Sequence, residues 1–277
     1  MNMPENDRKI EQLFPLNKTL SEAIQSSLLA VIESLSKTKF KYTGKSLLSF
    51  IPKIGYLNSA ILELSASRNI YSVAVLYRSI IEHSFRHLYI YTKALKDNND
   101  DVGRTYCKTL KASEDLQWFE KVNKHNKKVG VNQTIWNTKN DHNKEIRKAQ
   151  EEFKFSKIVE YFKVNNIHED KKIKKYINDH LLEKSVEYDN LSSAVHGGPF
   201  GESALFNLHK DKKKYDDTLF KFANESLGLH YSIVESTYLF SYLMDEKTKT
   251  FYEKILSLRK QKWQNIITKN WTSAGDY

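Results

Sequence analysis

Arg78, Glu82, His83, Arg86 and His87 fall within residues 70 to 91, IYSVAVLYRSIIEHSFRHLYIY, a stretch that is apolar on nearly every side. A helix wrapped in apolar residues lies inside a protein, and charges there are costly unless they are paired or used. The stretch therefore predicts a polar cluster in or beside a helical core. Each helical residue advances about 100°, so with Ala74 at zero, Arg78 lies roughly 40° and Glu82 roughly 80° from a packing stripe of Tyr77, Ile81, Ser84 and Leu88. Arg78 and Glu82, and then Glu82 and Arg86, stand at the four-residue spacing that brings side chains into contact. An Arg-Glu-Arg ladder thus runs along the edge of the core face. It reads either as exposed ion pairs, worth about 0.3–0.5 kcal/mol each, or as a sheltered anion receptor whose permanently charged, planar guanidinium is held by a carboxylate. Tyr71, Val75, Phe85 and Tyr89 on the same side speak against an entirely wet surface.

His83 and His87 share the other side at a spacing that can hold a metal. However, EHSFRH is not the order of a metalloprotease helix, no third ligand is evident, and Arg86 would repel a cation. No metal and no cofactor is expected. The second unusual element is Leu191-Ser-Ser-Ala-Val-His-Gly-Gly198, in which His196 closes a helical segment before Gly197 and Gly198. Glycines there permit positive φ and close backbone approach. His196 is then either a C-terminal residue favoured by the helix dipole or a group that moves a proton.

Helices must position these groups. Four Pro and nine Gly in 277 residues are too few for a turn-rich sheet protein. Thr19-Leu-Ser-Glu22 fits a capping box for a helix running to about Lys37. Gly44 lies in a polar linker, and a short helix from Ser46 to Ile51 is expected to stop near Pro52. A long helical region follows from Tyr56 to about Leu95, with a break near 67–69. Asn98 to Gly103 reads as a loop, and helices are expected at about 104–124, 145–164, 168–186, 216–244 and 247–269. Tyr188 to Val195 either continues the 168–186 helix or starts a short one. A Lys/Asn-rich insertion is expected near 121–143. These elements predict an all-α fold, a single helical bundle of about seven to nine helices over residues 1–277.

Forty-four basic against 34 acidic residues give a net charge of +10, which suggests a polyanionic partner such as RNA. Runs at 124–128 and 171–175 read as solvated faces that could steer a phosphate backbone, and Arg259, Lys260 and Lys262 beside Trp263 place charge next to a stacking surface. Cys107 is the one cysteine, so a reducing cytoplasm is expected. No apolar run suggests a signal peptide or a membrane span, and no phosphate-binding glycine loop or nucleophile elbow is present.

Arg78-Ser-Ile-Ile-Glu-His83 resembles the R-x-x-x-x-H motif of the HEPN superfamily, helical bundles that include metal-independent endoribonucleases of toxin and phage-defence systems. The resemblance implies that Arg78 stabilises a phosphate while His83 acts as acid/base in attack by a ribose 2′-hydroxyl, chemistry suited to imidazole and guanidinium. It also implies a homodimer and a partner protein of a defence module. Five residues place Arg78 and His83 about 140° apart, so they could converge only across a dimer or through long side chains. With LSSAVHGG, residues 55 to 200 are also similar to uncharacterised helical bacterial proteins with an R-S-x-x-E helix and a later S-x-x-x-H-G element. That likeness implies that Arg78, Glu82 and His196 approach one another, with Arg86, His87, Gly197 and Gly198 around the substrate. The competing function is a non-enzymatic protein- or nucleotide-binding module.

Overall fold

A computed structural model describes residues 5–130, 142–165, 171–196 and 198–260. Among these the chain is helical throughout and contains no strand, so the expected all-α bundle is what forms. The helices are α1 (Glu5–Glu11), α2 (Leu13–Ser36), α3 (Lys41–Ala66), α4 (Ile70–Asp97), α5 (Asp101–Arg104), α6 (Lys111–Lys128), α7 (His142–Glu152), α8 (Phe155–Val164), α9 (Lys171–Val195), α10 (Pro199–Leu208), α11 (Lys212–Met244) and α12 (Lys249–Leu258). A π-helical stretch, Thr105–Leu110, joins α5 to α6, and a 3₁₀ turn, Glu246–Thr248, precedes α12.

The centre is a three-way packing of α3, α4 and α11. Phe50, Ile54 and Ile61 of α3 meet Val73, Tyr77 and Ile81 of α4 and Leu227, Tyr231 and Val234 of α11 in one continuous buried cluster. Helices α2 and α12 extend it behind α11, while α8 and α9 cover the opposite side of α4. Asn69 starts α4 by accepting the Ser72 N–H at 3.1 Å, and Asn98 ends it in the left-handed region at φ 51°. Both are residues suited to those positions.

Several local expectations give way to packing. Thr19 is not an N-cap; it lies inside α2, where its hydroxyl donates to the Pro15 carbonyl at 2.9 Å. Buried Leu13 and Leu16 carry that helix back to residue 13. Pro52 does not end a helix either. It sits on the exposed side of α3, where buried Leu47, Phe50, Ile51 and Ile54 outweigh a cost of about 3 kcal/mol for an interior proline. The helix expected over 145–164 breaks at Phe153-Lys154, and of the two alternatives for Tyr188 to Val195 the continuation is what forms, as one α9. Residues 121–128, expected as part of an insertion, belong to α6, while 131–141 lie outside the described residues, as do Lys262, Trp263 and the remainder of the expected last helix.

Helix α10 was not anticipated. Pro199 occupies its first turn, and Gly198 is its N-cap at φ −72°. The glycine is therefore not needed for positive φ. It is needed for space: its N–H donates to the Ser193 carbonyl at 2.7 Å, and a Cβ there would lie 2.4 Å from Ser193 Oγ. Gly201 makes the same allowance, since its Cβ would fall 2.2 Å from the Ala194 nitrogen.

Candidate active site

The seam between α4 and α9 carries two adjoining polar clusters. In the deeper one, Lys184 is only 3% exposed. Its ammonium donates to Glu225 at 2.6 Å, to Glu187 at 2.8 Å and to the Tyr77 hydroxyl at 3.0 Å. Tyr77 in turn donates to Glu225 and, at 3.2 Å, to Glu187. Lys221 closes the group through Glu187 at 3.1 Å. Burial, reinforced by the carboxylates, pushes the Tyr77 phenol well above its usual range. Burial alone would raise Glu187, but the Lys184 and Lys221 ammoniums hold it below the ordinary carboxylate value.

One residue further along each helix lies the outer cluster. Arg78 Nε donates to Ser192 Oγ at 2.7 Å, and Nη2 donates to the Tyr188 hydroxyl at 2.6 Å. Its guanidinium carbon sits 4.5 Å from the centre of the Tyr188 ring. Phe155 stacks on Tyr188 at 3.8 Å, fixing that ring. Glu82 lies 3.6 Å from Arg78 and 2.6 Å from Arg86, and it accepts the Tyr188 hydroxyl at 3.3 Å. The three ladder side chains are 19 to 25% exposed. The predicted ladder is thus formed and sheltered at a rim, neither in open water nor in the dry core.

This geometry brings together Arg78, Glu82, Arg86 and the serine of the LSSAVHGG element. His196 stands one turn beyond Ser192, whose carbonyl accepts its backbone N–H at 3.1 Å, and its side chain is exposed. It is not among the hydrogen-bond partners of Arg78. Gly197 lies outside the described residues.

His83 and His87 point elsewhere. His83 faces Phe50 of α3, ring centres 6.1 Å apart, and its Nδ1 is buried with no hydrogen-bond partner. Burial first, then the nearby Lys53 and Arg86 charges, brings its pKa down to about 4. His87 is 2% exposed, bonded to Thr237 at 2.9 Å and edge-on to Phe50. Burial lowers its pKa to about 3. The expectation that His87 touches substrate therefore fails, because the core closes over it. The 140° separation is realised, so Arg78 and His83 do not converge within one chain. Among the described residues no group of three or more His, Cys, Asp or Glu is arranged as a metal site.

Sequence reasoning missed Tyr188, Ser192 and the Lys184 cluster as parts of the site. The signal was present: Lys184, Tyr188 and Ser192 follow each other at four-residue steps, one face of a continuous helix. Leaving open whether the helix continues past 187 hid it. In comparisons with known proteins, no family model, no curated protein and no solved structure matches this chain.

Proposed function

We propose that the α4–α9 rim binds the phosphodiester backbone of RNA, and that the protein is a metal-independent endoribonuclease of HEPN-like character, the toxic effector of a bacterial toxin or anti-phage defence module. The observation that carries the reading is the Arg78–Ser192 hydrogen bond at 2.7 Å. It anchors the guanidinium on Ser192, one helical turn before His196. Guanidinium has five N–H donors; Ser192 and Tyr188 use two, and Glu82 supplies charge alongside. The donors that remain suit a phosphate oxygen.

In this reading a ribose 2′-hydroxyl attacks the adjacent phosphorus and gives its proton to His196. The 5′-oxygen leaves and takes a proton from the same imidazole or from water. Arg78 offsets the charge that develops on the phosphate oxygens. Glu82, Tyr188 and Ser192 are positioning residues. Arg86 adds a second cation, and its buried Nε has no hydrogen-bond partner.

A second reading is favoured by Glu82, which stands between both arginines and balances their charge. There the ladder only docks α9, and the protein is a non-enzymatic binding module. Total RNA in EDTA separates the two, with wild type compared with Arg78→Ala, His83→Ala and His196→Ala. Cleavage lost in Arg78→Ala and His196→Ala but kept in His83→Ala is the expected result. No cleavage at high protein excess, with RNA still bound, favours the module. A strict metal requirement removes the mechanism.

A further inference from the structure

At the far end of α4 the chain builds a second electropositive feature that the rim does not explain. Asp100 accepts the backbone N–H groups of Tyr42 at 2.9 Å and Thr43 at 2.7 Å, tying the start of α3 to the start of α5. Gly103 lets the two backbones touch, since a Cβ there would lie 2.2 Å from the Thr43 nitrogen. This junction gathers three cations around one phenol ring. Lys108 lies 4.9 Å from the Tyr42 ring centre, and Lys41 and Arg104 lie 5.4 Å from it. All three side chains are exposed, and Lys45 is exposed one turn further along α3.

None of the three cations forms an ion pair among the described residues. Asp100, the carboxylate at this corner, is 8% exposed and committed to the two backbone N–H groups. Asp101, exposed in the first turn of α5, forms no ion pair with any of the three among the described residues. The neighbouring Lys108 above all, and then Lys41 and Arg104, lower the Tyr42 phenol from its ordinary pKa. An ammonium can only donate, so cations around the phenol leave its hydrogen free for an acceptor brought from outside.

We infer that this α3–α5 corner is a docking surface for single-stranded RNA, in which Lys41, Arg104 and Lys108 hold backbone phosphates and the Tyr42 hydroxyl donates to one phosphate oxygen. An aromatic ring amid unpaired cations is the pattern that binds single strands without reading sequence. The corner lies 20 residues along α4 from Arg78, about 30 Å at the helical rise. A strand held there extends along the bundle, so the corner serves grip and not chemistry. The inference rests on the proposal that RNA is the ligand.

The test is equilibrium binding of a labelled, non-cleavable 2′-O-methyl single strand across a salt series. The proteins are wild type, the triple variant Lys41→Ala/Arg104→Ala/Lys108→Ala, Tyr42→Phe, and a charge-matched control, Lys212→Ala/Lys213→Ala/Lys214→Ala, with thermal melts to check folding. Because each single-strand phosphate contact contributes about 0.7 to the salt slope, the corner triple should flatten it by about 2 and weaken Kd about tenfold or more near 0.15 M salt. Tyr42→Phe, which keeps the ring and so the fold, should weaken Kd about fivefold, the loss of one hydrogen bond, with the slope unchanged. Equal losses in the corner and control triples, or wild-type affinity in both Tyr42→Phe and the corner triple, would overturn the inference while leaving the rim untouched. Weakened corner variants in a protein that cleaves no RNA leave the inference standing and remove the nuclease. A wild type that binds no RNA overturns both.

Discussion

The two faces of α4 treat their ionisable groups in opposite ways. Toward α9, Tyr77, Arg78, Glu82 and Arg86 meet Lys184, Glu187, Tyr188 and Ser192, and hydrogen bonds or ion pairs reach each of them. Toward α3 and α11, His83 and His87 meet Phe50 and Thr237, and burial drives both imidazoles neutral. Charge survives on one side because partners arrive with it, and is discharged on the other because none do. The lesson is that a polar residue in an apolar helix is not by itself a functional signal. Its partner helix decides.

The largest expected effect breaks the comparison at the chemistry. His196→Ala should lower RNA cleavage about 10²- to 10⁴-fold, the usual worth of a general acid–base group, whereas His83→Ala should leave the rate near wild type. The reverse order, read in single-turnover assays, would move the active face to the other side of α4. Next is the buried cation. Lys184→Ala leaves Glu187 and Glu225 facing each other without it and should cost about 3–5 kcal/mol in urea unfolding. A loss near zero would mean that the cluster is wet.

Acid sharpens the contrast from the neutral side. His83 and His230 have folded-state pKa values of about 4 and His87 about 3, each depressed by burial. The unfolded chain takes up protons first, near pH 6.5, so this stability is complete above that pH and is lost as pH falls toward the folded values. Each group should remove about 1.4 kcal/mol per pH unit in that window. His230 has neither ring nitrogen bonded, so His230→Leu should flatten the slope by one proton with little loss at pH 7.5. An unchanged slope in chemical-denaturation curves from pH 7.5 to 5 would reject this assignment. The smallest effect is Ser192→Ala, about 1 kcal/mol for one hydrogen bond, with Arg78 less well fixed and cleavage reduced.

How much of this could be read beforehand follows from range. The i,i+4 relations of Arg78, Glu82 and Arg86 are local, and the ladder forms as spacing requires. The break at 67–69 and the left turn at Asn98 are also local. Pro52 and Thr19 defeat local rules because long-range burial of Leu13, Phe50 and Ile54 outweighs them. The four-residue steps put Lys184 on the face of Tyr188 and Ser192, but its partners Tyr77 and Glu225 come from two other helices, which spacing does not show.

The attachment of α9 has a further implication for motion. Its second half is tied down by carboxylates, cations and hydroxyls beside buried Leu191, while the α3–α4–α11 centre is held mainly by hydrocarbon. Because Glu187 is held below its ordinary value, its contribution is complete above the unfolded carboxylate range and fades as acid titrates it. Acid below the ordinary carboxylate range should then loosen residues 184–195, detectable as amide exchange that accelerates there. The strap over the rim would let go there, and the guanidinium would lose its bearings.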